Sequence, residues 1–256
     1  GSEMCTRYRY DNTVTYATPA FAGFKAYAQY SFDTDSKDDY DGAGLHGVEG
    51  KSSVDRYYAI GLTYANGPLN LAAVVDQTNF STTKWNGVDW GNPVDDALTV
   101  TVGGNYDFQV VKLYAGAQYF DNADLNSIDN IFSKDFALSP AQTERFQVKG
   151  YGLTIGADIP AAGGTFKVAT SYLDGTIDKV NGWDMATAIG ATFGEIDISR
   201  WNTSAGYLYS LSKRTSLYGV ASYSYQTVKG QKDFNGYSLD VAPTVIEVAA
   251  GIVHKF

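Results

Sequence analysis

The chain has 256 residues, a formal net charge of −9 and a mean hydropathy of −0.22. No run of 18 apolar residues exists, which excludes a helical membrane span. An acidic balance without a basic stripe argues against nucleic acid as a partner, and the lone Cys5 excludes an intrachain disulfide, while His46 and His254 offer no metal cluster and no cofactor motif is visible.

Residues 1–5 stand apart. Gly1-Ser2 has the look of a cloning scar, so the segment reads as such a scar or as the remnant of an upstream region, and 6–256 as one β-rich unit. No signal peptide is visible, and the natural N-terminus is expected upstream. From Thr6 onward, period-2 alternation predicts eleven strands. They cover about 7–18, 23–32, 56–65, 69–80, 97–107, 111–122, 146–159, 165–174, 200–210, 215–227 and 245–256. The connections 19–22, 66–68, 108–110, 160–164 and 211–214 are short; 34–55, 81–96, 123–145, 175–199 and 228–244 are long. Short and long alternate strictly. One side of short turns and one of long loops is the pattern of an all-β, antiparallel transmembrane β-barrel.

The strand faces agree. Phe24, Ala26, Ala28, Tyr30 and Phe32 alternate against Lys25, Tyr27, Gln29 and Ser31; Tyr151, Leu153, Ile155, Ala157 and Ile159 alternate against Gly152, Thr154, Gly156 and Asp158. A soluble sandwich would show the same alternation with its apolar face turned inward. Long strands, aromatics near strand ends and a small, polar opposite face favour lipid outside and water inside. Near-neutral hydropathy is no objection, since every second strand residue of a barrel faces a wet interior. The 20 tyrosines suit an interfacial girdle, and only six prolines suit many hydrogen-bonded strands.

The last strand is the clearest. Ile246, Val248, Ala250, Ile252, His254 and Phe256 fall on one side, with Glu247, Ala249, Gly251, Val253 and Lys255 on the other. Ten such residues at about 3.3 Å each cross a tilted bilayer. The first and eleventh strands run in the same direction, so closing eleven on themselves would create a parallel seam. Bacterial single-chain barrels have even strand numbers, and an odd number of strands is therefore expected upstream of Thr6.

Three segments carry a resemblance. Tyr209-Ser-Leu-Ser-Lys-Arg-Thr-Ser-Leu-Tyr218 and Ala250-Gly-Ile-Val-His-Lys-Phe256, together with Arg9-Tyr-Asp-Asn-Thr-Val-Thr-Tyr16 ahead of Pro19-Ala-Phe-Ala-Gly-Phe24 and Ala28-Gln-Tyr30, resemble the general diffusion porins of Gram-negative bacteria, in particular the proteobacterial type that includes the neisserial porins. The resemblance implies a sixteen-stranded outer-membrane barrel, usually a homotrimer, with a third loop folded into the lumen. It makes 7–18 the sixth strand, so that five strands and the constriction loop would lie upstream, and it puts the C-terminus on the periplasmic side.

A diffusion pore needs a water-filled lumen and charges at a narrow place. The resemblance assigns Arg9 to a basic cluster on the wall, with Arg7 and Asp11 on the same face; the bland reading is that both arginines are exposed at a strand start. Register alone points Lys25, Lys112 and Lys167 inward near the short-turn mouth, where three ammonium groups favour anions; the alternative is snorkelling to headgroups. Asp76, Asp158 and Glu247 also face inward and oppose them. A modest anion preference is expected, with outer-membrane lipid, small hydrophilic solutes and ions as partners. Ile246, Val248, Ile252, His254 and Phe256 are the lipid face of the terminal, barrel-assembly strand. Asp35, Asp38, Asp39 and Asp41 could hold Ca²⁺, but Lys37 stands where an oxygen ligand is needed, and a solvated loop accounts for the run better. Trp85, Trp90, Trp183 and Trp201 lie in or beside long loops and suit interfacial packing.

Two other functions compete. A barrel phospholipase needs a His beside a Ser, and neither histidine has such a partner at a recognisable spacing. A structural or adhesive barrel would use the long loops to bind surface partners without general pore activity, and nothing in those loops specifies a ligand.

Overall fold

The computed structural model describes residues 12–32, 55–80, 84–85, 88–89, 95–124, 147–177, 195–230 and 240–254. The strands are β1 (Thr13–Ala17), β2 (Phe24–Ser31), β3 (Arg56–Asn66), β4 (Leu69–Asn79), β5 (Lys84–Trp85), β6 (Val88–Asp89), β7 (Ala97–Asp107), β8 (Lys112–Asp124), β9 (Gln147–Ala161), β10 (Gly164–Ile177), β11 (Ile196–Ser210), β12 (Thr215–Gly230), β13 (Asp240–Val241) and β14 (Thr244–His254). Apart from the small β5–β6 hairpin, which the sequence pattern does not announce, all belong to one antiparallel sheet in the order β1-β2-β3-β4-β7-β8-β9-β10-β11-β12. Both β13 and β14 pair with β12.

These two are one strand in register. Val241 faces Val228 and Thr244 faces Tyr225, so the pairing continues unshifted across Ala242-Pro243. Pro243 has no N–H for the ladder, yet its carbonyl accepts from the Gln226 N–H at 3.0 Å. The proline costs the ladder one donor, and it falls at the break between β13 and β14 rather than inside either. Among the described residues the sheet is thus a meander of eleven strands, with β1 and β14 as its two edges.

The short turns have local causes. Ala162 and Gly163 both carry positive φ (50° and 78°), as the two-residue hairpin between β9 and β10 requires. Gly23 also carries positive φ, and a Cβ there would strike the Ala65 carbonyl oxygen, so no other residue fits without moving the backbone.

Where the described strands outrun their expected limits, the reason is physical. Strand β11 begins at Ile196 rather than 200, β10 continues to Ile177, and β12 reaches Gly230. In these extensions the polarity of the two faces reverses. Val148, Ile177, Ile196, Ile198 and Val228 are buried, on the face that is small and polar elsewhere. Asp174, Thr176, Asp197 and Lys229 occupy the opposite face, and Lys149 on that face pairs with Asp121 at 3.5 Å. Alternation persists but its phase flips, as it must when the outer side of a wall passes from hydrocarbon into water. Trp201 accordingly lies inside β11.

Candidate pore wall

Directly paired residues of an antiparallel sheet share a face, so the register sorts every described strand residue. Lys25, Thr63, Ala72, Gly103, Gly116, Thr154, Ser171, Asn202 and Ser224 form one cross-strand row. Lys25 and the Val245 that ends it in β14 apart, it holds only small or polar side chains. The adjacent row on the other face holds Phe24, Tyr64, Leu71, Gly104, Ala115, Ile155, Thr170, Thr203, Tyr223 and Ile246.

The apolar face is open rather than packed. Ile60 is 69% exposed, Ile155 61%, Ile246 72% and Val248 78%. A sandwich would cover these side chains with a second layer; here a continuous band of them is bare across the sheet. Aromatic rings bound the band. Toward the long loops, Tyr151 and Tyr172 lie 6.4 Å apart between ring centroids and Tyr172 and Trp201 6.1 Å apart. Toward the short turns stand Phe24 with Tyr64 at 4.5 Å and Tyr106 with Phe108 at 4.4 Å. A bare apolar band edged by rings fits a bilayer interior flanked by its two interfaces.

On the opposite face the charged residues gather near the short turns. Lys112 faces both Asp107 and Asp158 across the ladder, and Lys167 faces Asp158. The Lys167 ammonium donates to Asp158 Oδ2, which also accepts from the Tyr114 hydroxyl at 2.9 Å. Lys112 Nζ lies 5.5 Å from the centre of the Tyr114 ring, and Lys25 Nζ 4.9 Å from that of Tyr27. Lys167 and Asp158, which the sequence presents as separate opposing charges, are therefore a joined pair. Glu247 lies on this face farther along and accepts from the Ser222 hydroxyl at 3.3 Å. Asp76 lies on it between Ala59 and Thr99.

Arg200 is the residue that the strand pattern undervalues. It belongs to the same polar face, between Leu173 and Gln226. A strand begun at 200 leaves it at a loop edge, and only the reversed alternation of Ile196-Asp197-Ile198-Ser199 brings it four residues inside. His254, on the apolar face, pairs with Thr215, whose Oγ1 lies 2.9 Å from Nδ1. Ile246, Val248 and Ile252 share that face. Arg7, Arg9, Asp11, the acidic run at Asp35, Asp38, Asp39 and Asp41, and Phe256 lie outside the described residues.

A long meander with one bare apolar face, ringed by aromatics, and one small, charged face defines the wall of a transmembrane β-barrel. The sequence profile of the Gram-negative porins matches residues 2–231, and the chain belongs to that family. Over 259 aligned positions it is 31% identical to an outer membrane porin protein of Bordetella pertussis, covering all of this chain and 60% of that protein. It is 26% identical over 212 positions to outer membrane porin protein 32 of Delftia acidovorans, covering 82% of this chain and 45% of that one. An anion-selective porin from Comamonas acidovorans shares its fold, with a TM-score of 0.57 at 23% identity over 96% of this chain and 60% of that structure. The chain thus spans at most about 60% of the length of these relatives. Its family belongs to the outer membrane.

Proposed function

We propose that the protein forms a water-filled outer-membrane channel through which small hydrophilic solutes and ions diffuse, with a mild preference for anions. The observation that carries this is the segregation of faces: on the described strands most of the exposed large apolar residues lie on one side, while glycine, serine, threonine, several tyrosines and the charges dominate the other. Water must lie on the second side for that pattern to be stable.

The charges of that face support a mild selectivity rather than a strong one. On the described strands Lys25, Lys112, Lys167 and Arg200 stand against Asp76, Asp107, Asp158 and Glu247, an even balance. Arg7, Arg9 and Asp11, if they continue the register of β1, tip it by one positive charge. The Comamonas relative is described as anion-selective, which agrees in sign.

The barrel is completed by strands beyond the sheet described. Strands β1 and β14 run the same way and are both edges, so antiparallel closure takes an odd number of further strands. Five would make sixteen, with residues 6–256 as the C-terminal eleven strands and a homotrimer as the assembly. In this orientation the short turns and the C-terminus are periplasmic, and the long loops face outward. The family relatives are porins, and no catalytic role is assigned to the polar face.

Swelling of liposomes in small sugars tests the proposal. The complete protein should make them permeable to mono- and disaccharides and progressively less so to larger ones. Liposomes that stay tight with protein inserted would instead favour an adhesive or structural barrel.

A further inference from the structure

A recess of about 410 Å³ is sunk into the polar face over strands β8 to β12. Its floor is made of small residues: Gly156, Ala169 and Ser204 in one cross-strand row, and Gly206 in the next. Strand backbone approaches closely behind two of them. A Cβ at Gly156 would come within 3.0 Å of the Val168 carbonyl oxygen, and one at Gly206 within 3.0 Å of that of Gly219. The hollow therefore exists because the side chains at these four positions are absent or small, while larger ones such as Leu208 and Val220 stand around them. Tyr114 bounds it at one end and Tyr218 at the other.

Lys167 is the cation of this recess. Asp158 and Tyr114 fix it from one side, since Asp158 Oδ2 accepts from both the ammonium and the phenol. An ammonium has three donors, so two remain after Asp158, and about half of the side chain's surface is open to the recess and the space above it (48%). Asp158 is engaged on the far side and shielded, with 22% of its side chain exposed. Lys112 stands across the ladder from both Asp158 and Asp107, so the charges around the recess balance. What invites an anion is the open side of Lys167, whose remaining donors face the recess while the Asp158 carboxylate is turned away from it.

The rest of the lining narrows the class. Thr154 spends its hydroxyl on the Thr170 carbonyl at 3.3 Å, and beyond the Ser204 hydroxyl the glycine and alanine of the floor offer no side-chain hydrogen-bonding group. A sugar, which needs many partners, is poorly served. A bare inorganic ion would leave the floor unused. A carboxylate whose body is a flat apolar ring uses both parts, with the charge on Lys167 and the ring laid across Ala169, Ser204 and Gly206.

We propose that this recess is a binding subsite for small aromatic carboxylates, of which benzoate is the simplest. It rests on the pore reading for its access route, though not for its chemistry. The geometry makes Lys167 the anchor and the glycine-serine floor the platform.

Titration calorimetry on the complete, detergent-solubilised protein tests it, with benzoate and acetate as the two probes. Benzoate should bind at least roughly tenfold more tightly than acetate, because only benzoate covers the floor. Lys167→Gln should weaken benzoate roughly tenfold or more, Lys167→Arg should restore most of it, and Ser204→Trp should fill the platform and abolish the advantage over acetate. Equal binding of the two probes overturns the proposal, as does benzoate binding indifferent to both Lys167→Gln and Ser204→Trp. Calorimetry does not depend on conduction. A protein that binds benzoate through Lys167 yet leaves liposomes tight would keep the subsite and refute the pore.

Discussion

Replacing Ile155 by arginine puts a charge on the face assigned to lipid, and replacing its neighbour Thr154 puts the same charge on the other face. Both residues lie at the middle of the fifteen-residue β9. Ile155 is 61% exposed, between Ala115 and Thr170. If hydrocarbon surrounds it, an arginine at that depth costs about 2–4 kcal/mol. The lost isoleucine surface adds about 1–2 kcal/mol, scaled from full burial by the exposed fraction. Ile155→Arg should therefore destabilise the inserted protein by ~3–6 kcal/mol. Thr154→Arg loses only the hydroxyl's bond to the Thr170 carbonyl and reaches toward water, so about 1 kcal/mol is expected. Reversible urea unfolding from lipid vesicles reads both. If Thr154→Arg proves as costly as Ile155→Arg, or costlier, the faces have been assigned the wrong way round.

Other positions extend the test. Ala162 holds φ at 50° in the β9–β10 turn, and Ala162→Asn, which tolerates that region better, should raise stability by about 0.5–1 kcal/mol in the same unfolding assay. Gly150→Ala should do the reverse, since its Cβ would meet the Asp174 carbonyl oxygen and come within 2.6 Å of Gly175 Cα. A loss of about 1–3 kcal/mol is expected, together with impaired heat-resistant assembly on gels. Asp158→Asn removes the carboxylate between Lys112 and Lys167. It should move the zero-current potential further toward anion selectivity at ~0.1 M salt, and the shift should fade near 1 M as the Debye length falls to about 3 Å.

Much of this wall was legible in the sequence, for a definite reason. Within the bilayer a strand has two environments and a period of two, so Phe24 through Phe32 or Tyr151 through Ile159 declare both the strand and its faces. The phase reversal beyond the aromatic ring was not legible. Ile196 and Ile198 are apolar and point to the same side as Arg200 and Asn202, so a reader following one phase ends the strand early and leaves Arg200 at a loop edge. The two-residue β13 was hidden by Pro243, which breaks the ladder without breaking the register. Inward positions of Lys167 and Asp158 follow from counting. Their union, and the Tyr114 hydroxyl that joins them, depend on cross-strand partners that only the register supplies.

In the proposed pore the polar face of the wall conducts ions. Single-channel recording in planar bilayers across a potassium chloride gradient tests it most directly. The complete protein should open in stable steps and reverse at a potential of the anion-selective sign, displaced only modestly from zero. Silent bilayers would contradict the channel, and a strong reversal of the cation-selective sign would contradict the roles given to Arg9, Lys25, Lys112 and Lys167.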